Sequence, residues 1–107
     1  NFAEKQKVIL VLKGAQTLIA LPDGRTFINP TGNPGMASGG MGDVLFGMIT
    51  GFAAQGLSLE RAALAGVFLH GLGADILAQT QGGFGFTASD LVKTIPLAIR
   101  QILPCQD

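Results

Sequence analysis

Cysteine and the larger aromatics are nearly absent from this chain. Its 107 residues include one cysteine, Cys105, and no tryptophan or tyrosine. One cysteine excludes an internal disulfide, and no histidine or cysteine is spaced with it for zinc. It fits a reducing compartment, so a cytoplasmic setting is expected. Charge is scarce as well: 7 basic and 7 acidic residues give a net charge of zero, with no lysine or arginine cluster. Nucleic acid, whose binding depends on neutralising phosphates, is therefore not an expected partner. A spanning helix needs roughly 20 mostly apolar residues. The best candidate, Ala62 to Ala78, is interrupted by His70 and Asp75, so no membrane partner is expected. Neither a start methionine nor a signal peptide is visible, and there is no tandem repeat or low-complexity tract.

What the chain has in excess is apolar surface. It is 48% hydrophobic and 13% charged, which is unusual where a small domain has so much surface to cover. A buried-type strand appears almost at once. The expectation is that residues 1–107 form the C-terminal part of a single larger domain. Its N-terminal part, with much of the sheet, would lie upstream and cover this surface.

Val8 to Leu12, "VILVL", is a continuous β-branched and leucine run that suits a strand covered on both faces, as in parallel sheets. Thr17 to Leu21 reads as a second strand. Pro22 to Arg25, "PDGR", reads as a turn, and Thr26 to Asn29 as a third strand closing a hairpin. A helix is expected from about Gly42 to Gln55, with Val44, Leu45, Met48, Ile49 and Phe52 at helical spacing. Gly47 and Gly51 share a face of it, which predicts close approach to another backbone, and Gly56 suits its C-cap. Ser58 suits the N-cap of a second helix, Leu59 to Gln79. On that helix Glu60, Arg61, Asp75 and Gln79 form a narrow polar stripe. Gly66, His70 and Gly73 lie nearly opposite, which predicts helix packing at the glycines. His70 reads either as a satisfied core histidine or as a wall of a pocket. Thr87 or Ser89 would cap a last helix, with Asp90 in its first turn and a kink or restart at Pro96. Strands, a glycine loop and helices together indicate a layered α/β fold.

The stretch "NPTGNPGMASGGMGDVLFG", Asn29 to Gly47, carries the chemistry. The first N–H groups of a helix lack intrahelical partners and sit at the positive end of its dipole. Glycines let the backbone curl close to a ligand and turn several N–H groups inward. Together they make an anion hole suited to phosphate. Asp43 is then unexpected, because a bare anion receptor would avoid a carboxylate. A phosphoryl-transfer site would use one to take the proton from an attacking hydroxyl. A Walker A loop is excluded, since Met41 follows Gly40 where lysine is required, and G-x-G-x-x-G fails at Leu45. Asn33 reads either as a turn former or as a side chain reaching the ligand.

The segment "NPGMASGGMGDVLFGMITGFAAQG", Asn33 to Gly56, resembles the signature of the ADP/ATP-dependent NAD(P)H-hydrate dehydratases, members of the ribokinase-like superfamily. "VLKGAQTLIALPDG" before it and "GVFLHGLGADILA" after it are similar to the same family, so the resemblance runs from Val8 to about Leu103. It implies a ribokinase-like α/β/α fold and a repair reaction. The ring hydroxyl of hydrated NADH or NADPH is phosphorylated from ADP or ATP, and phosphate then leaves, restoring NAD(P)H in a hydro-lyase reaction. It implies that Asp43 contacts the hydrate and acts as base. Lys13, Gly14, Ala15, Gln16, Thr17 and Gly42 would bind nucleotide, and Gly39, Gly40, Met41 and Gly42 would form the anion hole. Many relatives have threonine or serine at the Met41 position; here the hydroxyl is absent but the N–H is kept. Mg2+ is the implied counter-ion of the nucleotide phosphates, with no carboxylate cluster to hold it otherwise. A homo-oligomer is expected, and in some bacterial relatives an epimerase domain precedes the dehydratase. Two other classes share the same glycine loop. One is a ribokinase-like kinase for a vitamin precursor or sugar alcohol, and the other is a module that binds nucleotide without turnover.

Overall fold

A computed structural model describes residues 2–13, 17–33, 39–81 and 86–102. A short helix α1, Phe2–Gln6, comes first; no sequence signal identified it. Three strands follow, β1 Leu10–Leu12, β2 Leu18–Ala20 and β3 Thr26–Ile28. They pair in chain order, and both pairs are antiparallel. The hairpin expectation holds, with Gly24 in the left-handed region (φ 96°) inside the tight turn. The parallel-sheet reading of Val8 to Leu12 is corrected. Only five residues, 13–17, join β1 to β2, whereas a parallel crossover needs about a dozen or more. Nor is the strand covered on both faces, since Leu12 is exposed.

Register decides which face of the sheet is buried. Val11, Ile19 and Phe27 lie opposite one another across the strands, so they share a face. Ile19 and Val11 on that face pack with Leu45, Ile49, Leu64 and Val67 of two helices. Leu12 and Ile28, one register row away, are exposed on the opposite face.

Three long helices complete the chain: α2 Met41–Ala54, α3 Leu59–Gln81 and α4 Ala88–Ile102. Helix α2 ends in the expected glycine cap. Gly56 has φ 108°, its N–H bonds the Ala53 carbonyl, and the Leu57 N–H bonds that of Phe52, the paired pattern of a Schellman motif. Ser58 caps α3 through the Arg61 N–H. Thr87 caps α4, with its hydroxyl accepting the Asp90 N–H while Asp90 accepts the Thr87 N–H, a reciprocal capping box. Helix α4 runs through Pro96 as one element rather than restarting there.

Helix α3 is the centre of the helical layer, packed by α2 on one side and α4 on the other. It is long and apolar enough to cross a membrane, but more than half of its apolar window is buried inside the molecule. Glycines make that packing close. A Cβ at Gly66 would come 2.6 Å from Ile49 Cγ1, and one at Gly73 would come 2.5 Å from Thr94 Oγ1. At Gly47 and Gly51 the expectation of close approach is overturned, since nothing lies within 4 Å of a Cβ at either. Instead they floor an apolar groove of about 410 Å³ between α2 and α4.

Candidate functional site

The site is built around the first turn of α2. Gly40 precedes the helix with φ 85°, in the left-handed region. A side chain there would be strained and would also meet Ala88 Cβ at 3.1 Å. The first donor to an intrahelical carbonyl is Val44, whose N–H bonds the Gly40 carbonyl at 3.1 Å. The N–H groups of Met41, Gly42 and Asp43 come before it, and among the described residues no side chain caps them. They form a row of donors at the positive end of a helix of 14 residues.

The side chains around this turn diverge. Met41 points inward and packs with Ala74, Leu77, Phe86 and Leu91, so only its backbone can serve a ligand. Gly39 and Gly42 are exposed, and so is Asp43. Lys13, following β1, brings its ammonium to the same turn: Nζ lies 3.6 Å from where a Cβ on Gly42 would stand. The sheet thus delivers a cation, and the helix delivers bare amides and a carboxylate, at one place. Thr17, just before β2, is half-buried, and its backbone carbonyl accepts the Asn29 N–H at 2.8 Å. Gly14, Ala15 and Gln16 lie outside the described residues, as does the part of the glycine loop from 34 to 38.

His70 lies beneath the turn. It is buried, and Nε2 is 3.0 Å from the Met41 carbonyl. Burial pushes the imidazole below its ordinary value. The Met41 carbonyl pulls the other way, and the Lys13 charge adds to the lowering. The ring is therefore neutral near pH 7. A carbonyl only accepts, so Nε2 carries the hydrogen and donates it. Of the two readings of His70, the satisfied core histidine is the one observed.

Asp75 had no place in the sequence reading beyond a polar stripe. It is half-buried and turned inward. Oδ2 accepts the Gly32 N–H and Oδ1 accepts the Asn33 side-chain amide, both at 3.0 Å. Gly32 has φ 110°, a glycine conformation that aims its N–H at the carboxylate. Asn33 thus reaches α3. A helical wheel identifies the face of Asp75 but cannot show that a loop more than 40 residues upstream lies over it.

This geometry can bind an anion at backbone amides beside a lysine and hold a carboxylate next to it. A family profile described as NAD(P)H-hydrate dehydratase, of the carbohydrate kinase group, matches residues 1–97. The chain belongs to the NAD(P)H-hydrate dehydratase family. It is 48% identical over 102 residues to a bifunctional NAD(P)H-hydrate repair enzyme of Moorella thermoacetica, covering 95% of this chain and 19% of the relative. Among solved structures it is similar to the ADP/ATP-dependent NAD(P)H-hydrate dehydratase of Bacillus subtilis co-crystallised with ATP and Mg2+. There the TM-score is 0.88 at 37% identity, over 94% of this chain and 36% of that one. A ribokinase-like superfamily protein of Enterococcus faecalis matches with a TM-score of 0.77 at 37% identity, over 92% of this chain and 34% of that one. The expected fold class is thereby established. The chain spans about a fifth to a third of the length of these similar proteins.

Proposed function

We propose that the chain is the C-terminal part of a nucleotide-dependent NAD(P)H-hydrate dehydratase, and that it carries the phosphate cradle and the base. The observation that supports this most is the exposed Asp43 beside uncapped amides and the Lys13 ammonium. Met41, Gly42 and Asp43 offer their N–H groups to the transferring phosphoryl group, where charge accumulates. Gly39 and Gly40 let the backbone come close. Lys13 adds positive charge on the same side, and the 13–17 segment holds the nucleotide. Asp43 accepts the proton of the ring hydroxyl as its oxygen bonds to phosphorus and the nucleotide leaves. Loss of the phosphate from the ring, with a proton from the adjacent ring carbon passing to solvent, then forms the ring double bond and regenerates NAD(P)H.

Magnesium enters this reading as the counter-ion of the nucleotide phosphates. No group of three or more His, Cys, Asp or Glu able to hold a metal exists among the described residues. These residues therefore do not fit a protein-held ion, and no step here depends on one. The bifunctional relative fits a second repair domain in the same polypeptide, the epimerase noted above. The setting is a cytoplasmic one, with a homo-oligomeric enzyme.

The test is restoration of NADH from its hydrate by the full-length protein with ADP or ATP. Restoration is expected. Formation of a stable phosphate ester of a small alcohol would support the kinase reading instead. Asp43→Ala should lower turnover by about 10²–10⁴-fold, the usual worth of a positioned base, while nucleotide binding stays. Turnover unchanged in Asp43→Ala would remove the assignment of the base. A polypeptide limited to residues 1–107 should show no turnover.

A further inference from the structure

Met41 is fastened to α3 twice. Its side chain lies in the apolar cluster that includes Ala74 and Leu77 of that helix. Its carbonyl accepts the buried Nε2–H of His70 at 3.0 Å, from 29 residues away in sequence. His70 and Ala74 are one turn apart, on one face of α3. With side chain and carbonyl both engaged, the N–H is what Met41 has left for a ligand. The peptide unit that carries the Met41 carbonyl also carries the Gly42 N–H. A peptide is planar and trans, so its C=O and N–H point in opposite directions, and fixing one fixes the other. Gly40 and Gly42 flank Met41, and Gly40 has φ 85°. Glycine on both sides leaves this backbone free to turn unless something holds it. The Lys13 ammonium stands at the same peptide, 3.6 Å from where a Cβ on Gly42 would be.

From this arrangement we propose that His70 is a positioning residue for the nucleotide phosphates: by holding the Met41 carbonyl from the inside, it aims the Gly42 N–H at the anion. A carbonyl in the first turn of an α-helix takes the N–H four residues on, and its second lone pair remains for the imidazole. The bond is thus not needed to satisfy the carbonyl. What it adds is a fixed plane for the peptide between residues 41 and 42, together with polarisation that strengthens the N–H at its other end. A buried polar ring is costly as packing alone, whereas it suits this task. His70 touches no phosphate in this scheme; it acts through the Met41 carbonyl. The proposal rests on the reading of the first turn of α2 as a phosphate cradle.

The experiment is titration of the full-length protein with ADP in the presence of magnesium, which reads affinity without requiring turnover. His70→Leu removes the donor and should raise the Kd for ADP about tenfold, the worth of one ordered hydrogen bond. His70→Gln keeps a side-chain N–H for the Met41 carbonyl and should bring the affinity back close to that of the parent. Gly66→Ala is the control for packing: it strains the same helix elsewhere, where a Cβ would come 2.6 Å from Ile49 Cγ1. It should lower the melting temperature and leave the Kd of the folded protein unchanged. A merely structural role would make His70→Leu behave as Gly66→Ala does. Should His70→Leu not fold, His70→Met, which also lacks a donor, takes its place. An unchanged Kd in the folded donor-free variant, or one raised as far by His70→Gln or Gly66→Ala, overturns the proposal while leaving the functional reading intact. Failure of the parent protein to bind ADP overturns both.

Discussion

Lys13 is exposed, and at the end of a strand it could be an ordinary solvated lysine. Its distance from the first turn of α2 argues otherwise. Its ammonium lies beside the first turn of α2, 3.6 Å from where a Cβ on Gly42 would stand, next to bare amides that attract anions. Lys13→Met keeps most of the stem and removes the charge. It should raise the Kd for ADP about tenfold, the loss of roughly one charge-assisted contact, with the effect shrinking as salt is raised. Titration at low and high ionic strength checks this, and an affinity indifferent to the substitution would take Lys13 out of the site. Single residues were unevenly legible. Asp43 stood out because a carboxylate among glycines at a helix start is chemically odd. The buried side of His70 also followed from the helical wheel, though its partner did not, and the inward side chain of Met41 was not anticipated, because that residue was read only as an anion-hole position. Asp75 did not stand out, because its partners arrive from a loop remote in sequence.

Helices were legible where their punctuation was strong. Ser58, Thr87 and Gly56 sit where their side chains or conformations serve the termini. Glycine within helices was less informative, because two opposite causes share one residue type. On α3, Gly66 admits Ile49, while on α2, Gly47 faces open space. The two should therefore answer alanine with opposite signs. Gly47→Ala gains helix propensity and meets nothing, so it should stabilise by about 0.5–1 kcal/mol. Gly66→Ala drives a methyl into Ile49 and should destabilise by about 1–3 kcal/mol. Urea denaturation of the full-length variants reads both. Equal signs would mean that the groove at Gly47 is filled in the assembled protein. Strand direction failed for a related reason. A run such as VILVL reports burial and β propensity, whereas pairing direction is set by the length of the next connection.

At the scale of the molecule, composition anticipated the outcome better than periodicity. An apolar excess in a short chain predicted faces without partners. Phe46 is 72% exposed and Ile28 61%, on α2 and on the open face of the sheet respectively. The sheet packs on both α2 and α3, and His70 is where α3 is joined to the first turn of α2. That bond makes stability depend on pH with a definite sign. The folded imidazole titrates below its ordinary value, chiefly through burial. The unfolded chain therefore binds a proton near pH 6.5 that the folded chain still refuses. Stability is full above about pH 6.5 and falls as the pH drops through the lower folded value. His70→Gln keeps a side-chain N–H for the Met41 carbonyl and removes the titration. The comparison to make is urea denaturation of the parent and of His70→Gln from pH 8 to pH 5. The parent should lose stability relative to the variant below pH 6.5, with parallel curves above it. Curves that stay parallel throughout would show that His70 meets water in the full-length protein, and that the first turn of α2 is held from below by something else.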